Sequence, residues 1–263
     1  EYIEGTVNNK AFEIFNSGST IESLSNYLII KSVNGGGWSQ IHTFPINSSI
    51  APGDVWVIAA DQASLAILNI ADEQLTYPSI VHYNGDDAIG LMKITGSDTL
   101  LVDVIGIPDV DPGYAWQVSI FPDATKEHTL IRKSTITSGN IDWSISAGTN
   151  DFNSEWIVLP QDEFQFLGTH PDSIPVEVTF NVNMSYQISQ GNFDPALDYV
   201  DLAGSFNNWG STQLILDDLN SDSIYSATLT GYNIGDTIEC KARINGDWNT
   251  SELYGLPNRA YML

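Results

Sequence analysis

The sequence is poor in cysteine, in basic residues and in long apolar runs. Its 263 residues include one cysteine, Cys240, so no disulfide forms within the chain and small disulfide-stapled folds are excluded. Cys240 lies in an alternating run that predicts a buried strand position. No stretch approaches the roughly 18 consecutive apolar residues of a membrane-spanning helix. We therefore expect no membrane insertion.

Basic residues are outnumbered along the whole chain. There are 9 Lys and Arg against 33 Asp and Glu, which gives a formal net charge of −24. Twelve acidic and three basic residues follow Pro171, and the remaining 21 and six precede it, so both halves are acidic. A field of this sign repels phosphate backbones and anionic lipid and keeps a protein soluble. The composition excludes nucleic acid as an expected partner.

Metal-binding patterns are weak. The four histidines are scattered and no C-x-x-C motif accompanies them, so we expect no zinc site. The run from Asp218 to Asp222 begins like a calcium loop, but Ser223 stands where glycine is needed and Leu229 where the bidentate Glu belongs. A hairpin turn explains this run better. We predict no cofactor and keep calcium as the alternative.

Signs of an enzyme are equally few. Asp86 and Asp87 follow Asn84 and Gly85 and could form a catalytic or metal-binding carboxylate pair, yet Asn-Gly-Asp-Asp between two strand-like runs first predicts a hairpin turn. The sequence has no G-x-S-x-G nucleophile motif. We expect a non-enzymatic protein.

Short runs rich in Val, Ile, Tyr, Phe and Trp recur between turn-forming clusters, which is typical of antiparallel sandwiches. The runs predicted as strands are residues 11–15, 27–33, 55–59, 89–94, 100–105, 176–182, 199–202, 224–230 and 237–244. One segment, residues 61–70, predicts a helix of about three turns with Asp61 as its N-cap. The pattern predicts an all-β protein with one short helix in its first part.

Two prolines and several turn formers between Gly168 and Pro175 predict a domain boundary. We predict a first domain over residues 1–170, a short linker over 171–175 and a second domain over 176–263. Residues 1–3 and 260–263 look like parts of strands, so we expect this chain to be a segment of a longer polypeptide.

The first domain resembles bacterial lamin-tail domains. Residues 1–16 follow their E-Y-x-E-G-x-x-x-N-K-A-x-E-I-x-N pattern. Later marks agree in order over nearly all of residues 1–170: 50–54, 84–88, 103–106, 129–133 and 156–168. The resemblance implies an immunoglobulin-like sandwich, so we expect two such sandwiches in tandem. It also implies an accessory role as a spacer or anchor in a secreted or cell-surface protein.

The second domain resembles the glycogen-binding module of the AMP-activated kinase beta subunit and the related isoamylase-type domains. Residues 204–209 match the family's G-S-F-N-x-W segment, and residues 240–248 stand where the family has Y-K-F-x-x-D/N-G-x-W. The resemblance implies that sugar contacts fall on Trp209, Lys241, Trp248 and Asn258. Cys240 and Ala242 replace the aromatics that flank the family's lysine, so this strand packs differently.

The residue types suit a sugar site for independent reasons. The apolar face of a pyranose ring stacks on an exposed indole, and its hydroxyls need directional donors and acceptors. The alternative is structural, because Trp209 and its neighbours could serve only to fold the loop and cover the sandwich. Trp248 is the more informative residue, since a tryptophan directly after a hairpin turn is often exposed.

Two functions follow from these patterns. The first is an extracellular or cell-surface protein that contacts a glucan-type polysaccharide by aromatic stacking. The second is a structural repeat of an extracellular filament, adhesin or sheath, in which strand edges of neighbouring copies pair without any sugar.

Overall fold

The computed structural model describes residues 1–171, 175–233 and 235–263. Its contacts divide the chain into two units, Glu1–Asp172 and Ser173–Leu263, here called unit 1 and unit 2. Most of the predicted linker over 171–175 lies outside the described residues. Its last residue, Pro175, begins a strand.

Unit 1 consists of short strands joined by turns and irregular segments. The strands are β1 Tyr2–Glu4, β2 Lys10–Phe15, β3 Glu22–Ser23, β4 Tyr27–Ser32, β5 Trp38–Thr43, β6 Ser49–Ile50, β7 Val55–Ala60, β8 Glu73–Leu75, β9 Ala88–Thr95, β10 Asp98–Ile105, β11 Thr129–Arg132 and β12 Trp156–Leu159. They form a six-stranded sheet in the order β12-β11-β1-β2-β7-β8, a four-stranded sheet in the order β10-β9-β4-β5, and the small β3-β6 pair. All the pairings are antiparallel except that between β7 and β8.

Alternation along the strands separates two apolar layers in unit 1. One layer contains Tyr2, Phe12, Ile29, Leu130 and Trp156 and is built from strands of both large sheets. The other contains Ile3, Ala11, Val57, Ile67 and Leu167 on the opposite face of the six-stranded sheet. This face is covered by a short helix and by residues near the end of the unit.

The described residues of unit 1 form two short α-helices and one 3-10 turn, Leu24–Asn26, whereas the sequence predicted one longer helix. The predicted helix over residues 61–70 shrinks to α1 Leu65–Leu68, whose N-cap is Ser64 and not Asp61. Of its four residues only Ile67 is buried. Because packing provides most of the stability of a helix in a protein, the helix is limited to this single turn. The unpredicted helix is α2 Trp143–Ala147, where the Asp142 side chain accepts a hydrogen bond from the Ile145 backbone N–H.

The described residues of unit 2 form six strands, one short α-helix and two single-turn 3-10 helices, Ser205–Asn207 and Trp248–Thr250. The strands are β13 Pro175–Asn183, β14 Val200–Gly204, β15 Leu214–Leu216, β16 Ile224–Asn233, β17 Thr237–Ile244 and β18 Arg259–Met262, and the helix is α3 Ser185–Ser189. β13 pairs with β16, and a four-stranded sheet has the order β15-β14-β17-β18. Phe180 and Tyr225 from the first pair and Leu202 and Ala242 from the second sheet share one core.

The predicted fold class is confirmed: the protein is all-β and immunoglobulin-like. Every run predicted as a strand overlaps an observed strand, and only Val33 and Tyr199 fall outside by one residue. Among the helices in the described part of the chain, none has the length and apolar character needed to cross a membrane.

Candidate functional site

The candidate site begins with two neighbouring strands of unit 2. β14 and β17 are antiparallel, with Asp201 opposite Arg243 and Ala203 opposite Lys241. Leu202 belongs to the core of the unit. Because side chains alternate along a strand, Asp201, Arg243 and Lys241 share the opposite face of this sheet.

Asp201 and Arg243 form a buried ion pair on that face. The Arg243 Nε and Nη2 atoms lie 3.2 Å and 2.5 Å from the two carboxylate oxygens of Asp201. The Arg243 and Asp201 side chains are 4% and 0% exposed. A two-point arginine–carboxylate contact fixes the orientation of the planar guanidinium. Arg243 therefore presents a rigid, charged plane to whatever lies above it.

Trp248 lies above this plane. The Cζ atom of Arg243 is 4.6 Å from the centroid of the Trp248 ring, a cation–π contact. Asn245 and Gly246 have φ values of 54° and 71°, as a two-residue type I′ turn requires, and Ile244 and Asp247 form a bridge across it. The tight turn places Trp248 directly after the strand. Arg243 supports one face of the ring while 43% of the residue remains exposed.

Trp209 is positioned by the loop that follows β14. Asn207 templates this loop, because its Oδ1 accepts hydrogen bonds from the Gly204 and Gly210 backbone N–H groups and its Nδ2 donates to the Leu202 and Thr212 carbonyls. Trp209 itself has a φ of 58°. Such a conformation is unusual for a bulky residue and is found mostly where surrounding contacts impose it, often at functional sites.

Gly210 brings the Trp209 loop against Arg243. A Cβ atom added at Gly210 would lie 2.6 Å from Arg243 Nη2, closer than non-bonded atoms approach. Gly210 also has a φ of 95°, which favours glycine. Glycine therefore allows the loop and the guanidinium to pack together.

The two tryptophans come together as a pair. Their ring centroids are 6.4 Å apart and their planes are tilted by 39°. Trp248 is exposed and Trp209 is half-buried, so neither ring belongs to the core. The pair forms a tilted aromatic surface, here called the tryptophan platform and defined as Trp209 and Trp248.

Lys241 and Asn258 are the other two predicted sugar contacts. Their polar groups form hydrogen bonds with other residues of unit 2. Lys241 is buried, and its Nζ donates to the carbonyls of Leu253 and Leu256 at 2.9 Å and 2.7 Å. Asn258 is exposed, and its Nδ2 donates to Glu239 Oε2 at 2.9 Å. Lys241 therefore anchors the loop before β18. The structure brings together two of the four predicted residues, and the polar groups of the other two are directed to different partners.

The residues beneath and beside the platform were not predicted. Arg243 and Asp201 were missed, although charged residues at alternate positions of paired strands are a sequence signal for an outward-facing pair. Gln213 Nε2 donates to the Tyr199 hydroxyl at 2.8 Å. A Cβ added at Gly246 would lie within 3.5 Å of both atoms and 4.0 Å from Arg243 Nη2. Gln213 and Tyr199 therefore lie beside the turn that carries Trp248.

Cys240 precedes Lys241 on β17, so its side chain points to the opposite, core-facing side of the sheet. Burial, together with the negative charge of Glu252, raises the pKa of the Cys240 thiol to about 11. The thiol is therefore protonated and unreactive at neutral pH.

The acidic run from Asp218 to Asp222 forms hydrogen bonds with its own backbone. Asp218 accepts hydrogen bonds from the Asp222 and Ser223 backbone N–H groups, which is the arrangement of a turn. Across residues 1–171, 175–233 and 235–263, no group of three or more His, Cys, Asp or Glu side chains is placed to hold a metal ion.

The hairpin turn predicted at residues 84–87 is wrong. β8, the preceding strand, belongs to a different sheet from β9, so the segment ends a long connection between sheets. Asp87 is buried there, and its Oδ2 lies 3.8 Å from Lys31 Nζ.

Unit 1 contains a cleft of about 440 Å³. Its lining includes the apolar residues Phe12, Ile29 and Leu91 and the charged residues Asp103 and Arg132. Arg132 Nη1 lies 3.0 Å from Asp103 Oδ1. Burial raises the pKa of the Asp103 carboxyl, and the charge of Arg132 opposes this shift. These two charged groups pair with each other, and Glu1, Glu13, Glu22 and Lys93 also line the cleft, so its lining is partly apolar and partly charged.

Comparison with known proteins supports the resemblance of the first unit. Residues 1–109 match the Lamin Tail Domain family, an immunoglobulin-like, non-enzymatic fold class. Unit 1 extends beyond this match, because β11 and β12 pair in the same sheet as β1. The resemblance of the second unit to glycogen-binding modules has no family match behind it. No curated protein shows a significant match to the chain.

Proposed function

We propose that unit 2 binds a neutral, glucan-type polysaccharide by stacking sugar rings on the tryptophan platform, and that unit 1 is a non-catalytic spacer or anchor. We place the protein outside the cell or at its surface, where such polysaccharides occur. The observation that carries the proposal is the geometry of the platform: two solvent-accessible indoles 6.4 Å apart and tilted by 39°.

The platform suits sugar rings for a physical reason. Each pyranose offers an apolar C–H face that gains by covering an indole. The separation of the two indoles is comparable with the spacing of neighbouring units in a sugar chain, and their tilt suits a curved chain. Arg243 holds the Trp248 ring from below, so little side-chain entropy is lost on binding.

Directional contacts are provided beside the platform. Gln213 is exposed and Tyr199 half-buried, and their amide and hydroxyl groups are suitable partners for sugar hydroxyls. Each such hydrogen bond contributes about 1 kcal/mol net, so a single unit should bind with an affinity on the order of millimolar to micromolar. The proposed interaction uses no metal ion and no cofactor. The net charge of −24 imposes no electrostatic penalty on a neutral ligand.

Calorimetric titration of the whole chain with maltoheptaose and a panel of marine and plant polysaccharides tests the proposal. We expect Trp248→Ala and Trp209→Ala each to weaken binding about tenfold or more, since the loss of about 1.4 kcal/mol has that effect. Tyr186→Ala is the matched control, because Tyr186 is an exposed aromatic on α3 in the same unit. We expect this variant to bind like the wild type.

If the wild-type chain bound none of the glycans in the panel, the proposal would be contradicted. A purely structural role, in which strand edges of neighbouring copies pair in a filament, adhesin or sheath, would then account better for the protein.

A further inference from the structure

A lysine and an aspartate face each other inside unit 1. Lys31 lies on β4, and Asp87 immediately precedes β9, which pairs with β4 so that Lys31 is opposite Ile89. Side-chain alternation puts Lys31 and Asp87 on the face that carries Ile29 and Ile89, both in the core between the sheets. The two side chains are 3% and 4% exposed. Lysine is almost never buried to this extent without a specific partner.

The Lys31 amine donates to two backbone carbonyls and lies near one carboxylate oxygen. Nζ donates to the His82 carbonyl at 2.7 Å and to the Ser79 carbonyl at 3.2 Å. Asp87 Oδ2 lies 3.8 Å away, which is beyond hydrogen-bond distance. A neutral primary amine has two N–H bonds and one lone pair. With two carbonyls accepting its N–H groups, the lone pair is left for Asp87.

The Asp87 carboxyl is polarised from its other side. The Asn34 backbone N–H donates to Asp87 Oδ1 at 3.1 Å. A donor in this position stabilises negative charge that develops on the oxygen when a nucleophile adds to the carboxyl carbon. The geometry thus combines a positioned amine with an activated carboxyl in a site closed to water.

Burial also favours the uncharged form of each group. It lowers the pKa of the Lys31 amine, although the charge of Asp87 opposes this shift. It raises the pKa of the Asp87 carboxyl, although Lys31 opposes that shift. Both shifts favour a neutral amine beside a neutral carboxylic acid, and these are the reacting forms for amide formation.

We infer that Lys31 and Asp87 join in an intramolecular isopeptide bond. The Nζ lone pair attacks Asp87 Cγ to form the new C–N bond, and Asn34 N–H stabilises the charge on Oδ1. The bond from Cγ to Oδ2 then breaks. Nitrogen gives up one proton to Oδ2, which already carries the acid proton, and this oxygen leaves as water. No oxidant or reductant takes part.

The product is a covalent link between β4 and the residue before β9. It closes the chain segment between positions 31 and 87 within unit 1, in a protein whose single cysteine prevents an intrachain disulfide. This inference concerns the construction of unit 1 and does not depend on sugar binding by unit 2.

Intact-mass spectrometry of the denatured wild-type chain tests the inference. We expect a mass lower than the sequence mass by one water. We also expect fragmentation of a protease digest to find a branched peptide that joins Lys31 to Asp87. A mass equal to the sequence mass would overturn the inference, and so would a water loss located at another residue, such as a succinimide.

Two variants give distinct mass signatures, read on protein whose circular dichroism spectrum matches that of the wild type, because the reaction requires the folded site. Lys31→Arg keeps the positive charge but removes the amine nucleophile, so we expect the full sequence mass. In Asp87→Asn the leaving group is ammonia, so we expect the mass to fall by one ammonia. Lys10→Arg is the matched control, because Lys10 is a half-buried lysine of the same unit that forms an ion pair with Glu4. The Lys10→Arg variant should lose one water as the wild type does. Loss of water instead of ammonia by Asp87→Asn would count against the inference.

Discussion

Asp201 and Arg243 lie on paired strands, 42 residues apart in sequence, and neither side chain has appreciable contact with solvent. A buried ion pair of this kind loses hydration when the protein folds and recovers that cost only if its geometry is good. Removing one partner leaves a buried, uncompensated charge. The pair therefore has a larger effect on stability than an exposed pair would have.

We expect Asp201→Ala to destabilise unit 2 by about 3 to 5 kcal/mol, because Arg243 is left buried without its carboxylate. Hydrogen exchange measured at increasing urea concentrations gives the free energy of unfolding of unit 2. Mass spectrometry of peptides from β14 and β17 reads the exchange. Glycan affinity should fall as well, since the Trp248 ring loses its oriented support.

The control is the ion pair between Arg259 and Glu252, whose side chains are 48% and 27% exposed. Arg259→Ala should cost only about 0 to 1 kcal/mol, as is usual for solvent-screened pairs. Equal costs for the two variants would show that burial does not distinguish the pairs.

At the scale of elements, the site depends on the two connections that carry the tryptophans. The Asn245-Gly246 turn follows from its sequence, since this dipeptide favours the type I′ geometry. The loop from Ser205 to Ser211 depends instead on Asn207, which saturates its amide with four backbone partners. A local signal sufficed for the first connection, whereas the second needs contacts on both sides of the loop.

We expect Gly210→Ala to disturb the site more than an equivalent change elsewhere. Gly210 and Gly231 both have positive φ values, so alanine at either position costs about 1 to 2 kcal/mol in backbone strain. At Gly210 the new Cβ would also meet Arg243 Nη2 at 2.6 Å, whereas at Gly231 it would meet no atom within 4 Å. Gly210→Ala should therefore be the less stable variant and the weaker glycan binder.

Thermal unfolding and glycan titration of the two glycine variants check this prediction. Because Gly231→Ala reproduces the backbone strain without the clash, it should keep wild-type affinity. Indistinguishable affinities of the two variants would mean that contact between the loop and Arg243 does not shape the platform.

For the molecule as a whole, the principal fact is that each unit has its own core. The core of unit 1 includes Leu130, and that of unit 2 includes Leu202. A chain with separate cores need not unfold in a single cooperative step.

We therefore expect two transitions in differential scanning calorimetry. Leu130→Ala should lower only the first unit's transition and Leu202→Ala only the second unit's, each through a loss of about 2 to 5 kcal/mol. Both residues are at most 1% exposed, so the two variants are matched in burial. A common shift of both transitions by either variant would contradict the separate unfolding of the units.

The sequence by itself determined strands such as β2, β9 and β17, because their apolar residues bury one face wherever the strand lies. It did not indicate β5, β11 or β12. It also determined the exclusion of disulfides and the placement of Trp248 after a tight turn. It failed for residues 61–70, where helical spacing extended over ten residues but only one turn found packing contacts.

Only the tertiary structure decided which polar side chains meet. The ion pair of Arg243 with Asp201 and the approach of Lys31 to Asp87 both join residues distant in sequence, and Lys241 reaches carbonyls 12 and 15 residues away. Such pairings depend on strand register and on which face each side chain occupies, and these are fixed when the sheets pack.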